Sequence, residues 1–217
     1  MRMKKLGFID PFMKTPAVHC FNEFIDLMAT PTSYHMPSQF GVRSLEDHQS
    51  DTDGYIIVGS ASHVTEPLAW HAPLAKFLLA ELKRGKPVFG CCFGHQLICH
   101  ALGSSVEFAH PLQEKSSGVR NITFNQDFRN YKRGENFHLA VTHRQIVTTL
   151  GPGLIEVGRG LLNDIVAHKD LPLLCTQAHP EASSFFCTSD IQNMTLNEEQ
   201  QSRKNGSDLI KRFFNSF

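Results

Sequence analysis

The chain has 217 residues, 41% of them apolar, with 17 phenylalanines and a formal charge of +0 from 21 basic and 21 acidic side chains. That length suits one domain over 1–217, able to bury roughly 70% of its unfolded surface, and the balanced charge supplies no global field for nucleic acid or a membrane surface. No apolar run approaches the ~20 residues a membrane span needs. The basic start Met1-Arg2-Met3-Lys4-Lys5 has only a short apolar stretch before Asp10-Pro11, too little for a signal peptide. A cytoplasmic protein with reduced thiols is therefore expected, its six cysteines at positions 20, 91, 92, 99, 175 and 187.

In chain order, Leu6-Gly7-Phe8-Ile9 reads as a short strand stopped by Asp10-Pro11, and Val18 to Met28 carries apolar residues at helical spacing. Gly54 to Val58 is a continuous β-prone run, as in a strand buried on both faces, and it ends in the loop Gly59-Ser60-Ala61-Ser62. Leu74, Phe77, Leu78 and Leu82 form a helical stripe closed by Lys83-Arg84-Gly85. Pro87 to Phe89 is the next strand, and Phe93 to Leu102 the next helix, ending at Gly103. Strands alternating with helices imply right-handed crossovers, hence an α/β fold with a mostly parallel twisted sheet covered by helices on both faces. After Gly118 the runs shorten (Ile122–Phe124, His138–Thr142, Ile155–Val157, Ile165–Ala167, Leu171–Cys175), which predicts an appended antiparallel hairpin region. Asp190 to Asp208 is polar, a loop or exposed helix, before an amphipathic end with Leu209, Ile210, Phe213 and Phe214.

The junction Gly90-Cys91-Cys92-Phe93-Gly94-His95-Gln96 follows a strand and opens a helix. A cysteine flanked by glycines there presents a nucleophile on a sharp turn, with glycines letting strand and helix pass closely. The dipole at the helix N-terminus favours an anionic sulfur at Cys92. Such a nucleophile needs a base and the base an orienting group. Gln177-Ala178-His179-Pro180-Glu181 offers an imidazole at the end of an apolar strand and a carboxylate two residues on.

Together these motifs resemble the class I, or triad, glutamine amidotransferases, whose nucleophile motif is Gly-x-Cys-x-Gly-[His/Met]-Gln and whose base motif is His-Pro-Glu. The likeness runs from the first strand to about Ala182 and is strongest to the stand-alone branch similar to the amidotransferase domain of GMP synthetase. It implies Cys92 as nucleophile, His179 as general acid/base and Glu181 as orienter. It also implies an oxyanion hole from the backbone N–H groups of Ser60 and Phe93, and substrate contacts at Gly59, Gln96 and Gly118. The implied reaction attacks a γ-carboxamide, passes through a γ-glutamyl thioester and releases ammonia, with no cofactor. Val141-Thr142-His143 matches a segment where the family often places a histidine. Cys91 stands where the family usually has Ile or Val, and Ala61 near a usual Gly or Pro. The segment Glu114 to Val119, expected to contact the α-carboxylate and amine of the substrate, matches only at Gly118-Val119. No second domain receives ammonia, so a separate synthetase subunit is the implied partner.

Two other functions are compatible with these residues. One is a γ-glutamyl peptidase using the same triad, the other a non-catalytic interaction module that kept the fold. Cys92, His95 and Cys99 share helical spacing with His100 nearby, but no Cys-x2-Cys pair completes a usual zinc set, so no metal site is read. Cys91 reads as a buried strand residue, Cys99 as core, His95 as a packing or pocket residue, and His143 as structural or functional with equal weight. Histidines 19, 35, 48, 63, 71, 110, 138 and 168 lack a partner pattern and read as surface residues.

Overall fold

The computed structural model describes residues 4–66 and 68–217, so Met1, Arg2 and Met3 of the basic start lie outside the described residues. Strands β1 (Leu6–Ile9), β2 (Thr32–His35), β3 (Gly54–Ile57) and β4 (Val88–Cys91) alternate with helices α1 (Val18–Met28), α2 (Pro37–Phe40), α3 (Arg43–His48) and α4 (His71–Lys83). The Cys92 turn leads into α5 (Phe93–Ala101). Then follow β5 (Ser105–Phe108), β6 (Ser116–Phe124), β7 (Asn136–His143), β8 (Gln145–Thr149), β9 (Leu154–Arg159), β10 (Ile165–His168) and β11 (Leu173–Thr176), and last α6 (Ser184–Asp190) and α7 (Leu196–Phe214).

Nine strands form one sheet in the order β2-β1-β3-β4-β11-β10-β9-β6-β7, and β5 and β8 pair separately. The expectation of a mostly parallel sheet needs correction. Pairings from β2 to β11 are parallel, whereas those from β11 to β7 are antiparallel, so the sheet is evenly mixed. The cause is connection length, because the short links β9–β10 and β10–β11 can only reverse the chain. The run ending at Cys175 forms the expected antiparallel hairpin with β10, and on its other edge β11 also pairs in parallel with β4, Leu173 to Thr176 against Val88 to Cys91. This insertion brings the segment carrying His179 beside the segment carrying Cys92.

Side chains alternate across the central strands, so each face builds its own core. On β3, Ile56 joins Phe8, Phe24, Phe89 and Phe213 beneath α1 and α7. Its neighbours Tyr55 and Ile57 face the other way, onto Leu74, Leu78 and Leu97 of α4 and α5. The polar stretch from Asp190 resolves into α6's end and a 19-residue α7, started by a reciprocal capping box of Thr195 and Glu198. Gly206 lets this helix approach closely: a Cβ there would meet the Pro180 carbonyl oxygen at 2.2 Å. Among the described residues no helix is long and apolar enough to cross a membrane. Two histidines read as surface residues are buried instead. His35 is held between Ser33 Oγ and Ser44 Oγ at 2.7 Å each, and His71 between Ser62 Oγ and the Glu66 carbonyl. Ser33 lies on the same strand as His35, but Ser44, Ser62 and the Glu66 carbonyl come from other segments and complete the pairing of the two rings.

Candidate active site

Cys92 sits between β4 and α5 with φ +47° and ψ −102°, a left-handed conformation that costs a residue with a Cβ of order 1–3 kcal/mol. The surroundings enforce it. Cys92 N–H donates to the Thr176 carbonyl of β11 at 2.8 Å, and its own carbonyl accepts the first helical bond, from Gln96 N–H at 3.0 Å. Gly94 allows α5 to graze β3, since a Cβ there would lie 2.5 Å from the Ile57 carbonyl oxygen. At Gly90 a Cβ would lie 2.9 Å from Cys175 Sγ and 3.1 Å from the Gly94 backbone. Cys91, by contrast, is wholly buried in β4. Burial, followed by the charge of Glu181, pushes its thiol well above the ordinary range, so this sulfur stays protonated.

His179 follows β11 and is fixed through its backbone, its N–H donating to the Ala140 carbonyl at 2.8 Å. Its Nδ1–H donates to Glu181 Oε1 at 2.9 Å, which leaves Nε2 for the chemistry. Phe186 packs on the ring, centroids 4.7 Å apart. Gly59 abuts it, and a Cβ at that position would stand 2.6 Å from His179 Cε1 and 3.7 Å from Cys92 Cβ. The Thr142 carbonyl of β7 unites the pair: it accepts from the Cys92 thiol at 3.6 Å and lies 3.4 Å from His179 Nε2. One oxygen thus serves the proton whether sulfur or imidazole carries it. Burial alone would depress the imidazole, but the charges at Cys92 and Glu181 outweigh it and hold His179 well above the ordinary histidine range. The imidazolium form of His179 is thereby stabilised.

The loop after β3 is braced from β1's end: Ser60 Oγ donates to the Pro11 carbonyl at 2.6 Å, and Ser62 N–H donates to Ser60 Oγ at 3.2 Å. The backbone N–H groups of Ser60 and Phe93 meet no acceptor among the described residues. The Phe93 side chain faces away, against Trp70 and His71. Gln96 is buried, with its amide donating to the Gln145 carbonyl at 2.6 Å and to Gln177 Oε1 at 3.2 Å. Gly118 lies on β6 opposite Val141, one position from the Ser117–Thr142 pair, at φ +143° and with open space where a Cβ would be.

The groups read as possible zinc ligands separate. His95 and Cys99 turn away from Cys92 and instead meet Cys175 of β11, their ligand atoms within 4.8 Å of one another and all buried. His143 accepts from Arg120 at 3.1 Å through Nε2, and Arg120 pairs with Asp164 at 2.6 Å. Burial, then Arg120 and His179, push His143 down to about 3, so it is neutral and poorly suited as a base. Three participants escaped the sequence reading: the Thr142 carbonyl, Phe186, and Gln177, whose amide donates to Cys92 Sγ at 3.7 Å. Only Gln177 left a signal, being two residues before His179 and hence on the same side of an extended segment.

Known proteins resemble this chain in sequence and in fold. The family model described as Glutamine amidotransferase class-I matches residues 23–189. A carbamoyl phosphate synthase small chain from Pyrobaculum aerophilum is 38% identical over 101 residues, covering 45% of this chain and 27% of that protein. A GMP synthase [glutamine-hydrolyzing] from the Wolbachia of Brugia malayi is 31% identical over 139 residues, covering 61% and 26%. The chain thus spans about a quarter of the length of the curated relatives it matches. Among solved structures, a glutamine amidotransferase from Thermotoga maritima superposes with TM-score 0.79 at 14% identity, covering 99% of this chain and 98% of that one. A glutamine amido transferase from Methylobacillus flagellatus gives 0.71 at 16%, covering 100% and 96%. At those identities the superpositions speak for the fold.

Proposed function

The chain belongs to the class I glutamine amidotransferase family, and on that footing we propose that it hydrolyses the γ-carboxamide of glutamine through a thioester on Cys92 and releases ammonia. The observation that carries this reading is the convergence of the Cys92 thiol and His179 Nε2 on one carbonyl, with Glu181 behind the imidazole. In the proposed cycle His179 Nε2 takes the thiol proton, and the sulfur attacks the amide carbon. The oxyanion is met by the N–H groups of Ser60 and Phe93, each such donor being worth ~10²–10³ in rate. Collapse of the tetrahedral species breaks the C–N bond, and His179 returns the proton to the leaving ammonia. Water, deprotonated by His179, then attacks the thioester and frees glutamate and the Cys92 sulfur.

Substrate contacts follow from what remains unpaired. Both amide protons of Gln96 are used within the protein, so its Oε1 is the atom assigned to accept from the α-ammonium group. Gly59 and the open side of Gly118 line the approach to the triad. The relatives' names describe synthases, and the ammonia acceptor proposed for this chain is likewise a separate synthetase subunit. The test is turnover. Purified protein should release ammonia from glutamine, and Cys92→Ala should lower that rate by at least ~10³. Cleavage of γ-glutamyl dipeptides with an inert glutamine amide would instead favour a γ-glutamyl peptidase, and absence of both activities would leave a fold without the chemistry.

A further inference from the structure

Gln177 and Gln96 are 1% and 4% exposed, and primary amides buried that deeply must have their polar atoms met inside the protein. Gln177 is anchored at its backbone, its N–H donating to the Asp164 carbonyl at 2.8 Å. Asp164 is itself pinned by Arg120. Gln96, one turn into α5, gives one amide proton to the Gln145 carbonyl at 2.6 Å and the other to Gln177 Oε1 at 3.2 Å. That second bond decides which way round the Gln177 amide stands. Its oxygen must face Gln96, since a flipped amide would set two NH2 groups against each other. The NH2 group therefore faces the nucleophile, with Nε2 3.7 Å from Cys92 Sγ.

We propose that Gln177 is a further catalytic residue of this site, its amide N–H stabilising the Cys92 thiolate, and that Gln96 is a positioning residue that keeps the donor turned toward the sulfur. The inference rests on Cys92 being the nucleophile. Gln177 transfers no proton; the thiol proton still passes to His179 Nε2. What the amide supplies is a fixed donor whose bond strengthens as the acceptor becomes charged, by roughly a factor of two over a neutral one. A thioester sulfur accepts weakly, so the bond favours the thiolate over the acylated enzyme and also assists its departure on hydrolysis. The arrangement explains why two glutamines are buried in series where apolar residues would pack more cheaply.

The experiment measures alkylation of Cys92 by iodoacetamide against pH, quantified by peptide mass mapping on the full chain, alongside kcat and KM for glutamine. Gln177→Met should raise the pH midpoint of Cys92 alkylation by about one unit and lower kcat about tenfold with KM little changed. Gln177→Glu keeps the shape and the acceptor toward Gln96 but turns a second acceptor on the sulfur, so its midpoint should rise further. Gln96→Met should shift the midpoint the same way by less, and raise KM as well. A merely structural role would lower the folded fraction and leave the midpoint where it was. An unmoved midpoint in folded Gln177→Met, or in Gln177→Glu should the methionine variant fail to fold, overturns the proposal. Failure of the underlying reading looks different: wild-type Cys92 would then resist alkylation across the whole pH range.

Discussion

At Gly59 a missing methyl group holds the site together, since a Cβ there would press to 2.6 Å from His179 Cε1. The imidazole cannot yield easily, being bound by Glu181 on one side and covered by Phe186 on another. Gly59→Ala should therefore displace His179 from Cys92 and cut kcat about a hundredfold, the cost of a ~1 Å misplacement, with a smaller effect on the melting temperature. Glu181→Ala acts on the same imidazole electronically. Loss of the carboxylate frees the tautomer and removes a charge that stabilises the imidazolium, so kcat should drop by ~10³–10⁴. Steady-state kinetics on folded variants check both. Cys92, His179 and Glu181 could be picked out of the sequence because each lies in a short motif and the two motifs together resemble those of one family, and the fold brings the three side chains together. Thr142 could not, because its contribution is a backbone oxygen that any residue would supply.

The elements that carry these residues are tied by two close backbone approaches. α5 crosses β3 at Gly94, where a Cβ would meet the Ile57 carbonyl at 2.5 Å, and α7 crosses the Pro180 segment at Gly206 with 2.2 Å to its carbonyl. Neither neighbour is a flexible side chain, so Gly94→Ala and Gly206→Ala should each destabilise by roughly 1–3 kcal/mol, as overpacking does. Urea titration would measure this. Gly206→Ala should also depress activity, because Pro180 is bonded directly to His179. Strands β1, β3 and β4 were legible because parallel strands buried on both faces read as continuous apolar runs, whereas the half-buried edge strand β2 and the short helices α2 and α3 gave no such run. The position of β11 was not legible either. It pairs with β4 across some 85 residues, and periodicity carries no information about which distant strand becomes a neighbour. Reading the later runs as antiparallel hairpins was right for β6, β7, β9, β10 and β11; what it missed is the second, parallel edge of β11 against β4, which brings His179 to Cys92. The hydrogen bond between the two buried glutamines was similarly opaque, since it joins side chains from different parts of the chain.

For the molecule as a whole, acid is the expected weakness. His35 is pushed down to about 4 by burial, then by His48 and Lys5, and His143 to about 3. A depressed histidine leaves both states neutral above the unfolded value near ~6.5. Below it the unfolded chain binds protons that the native protein refuses, so stability falls as pH drops from about 6.5 toward 4 and continues to fall toward 3 through His143. Urea midpoints across that window should decline, and more gently in His35→Gln and His143→Gln. His179 has the opposite sign: its raised value adds stability present below ~6.5 and lost as pH rises through its native value. These terms bear on the catalytic claim only through folding, whereas one measurement addresses it directly. The full chain is treated with 6-diazo-5-oxo-norleucine, a γ-glutamyl-directed electrophile, and the adduct is located by peptide mass mapping in wild type, Cys91→Ala and Cys92→Ala. A single adduct on Cys92, kept in Cys91→Ala and lost in Cys92→Ala, is the predicted result. An adduct that follows Cys91 instead, or none at all on the folded wild-type protein, would contradict Cys92 as the nucleophile of a γ-glutamyl hydrolase.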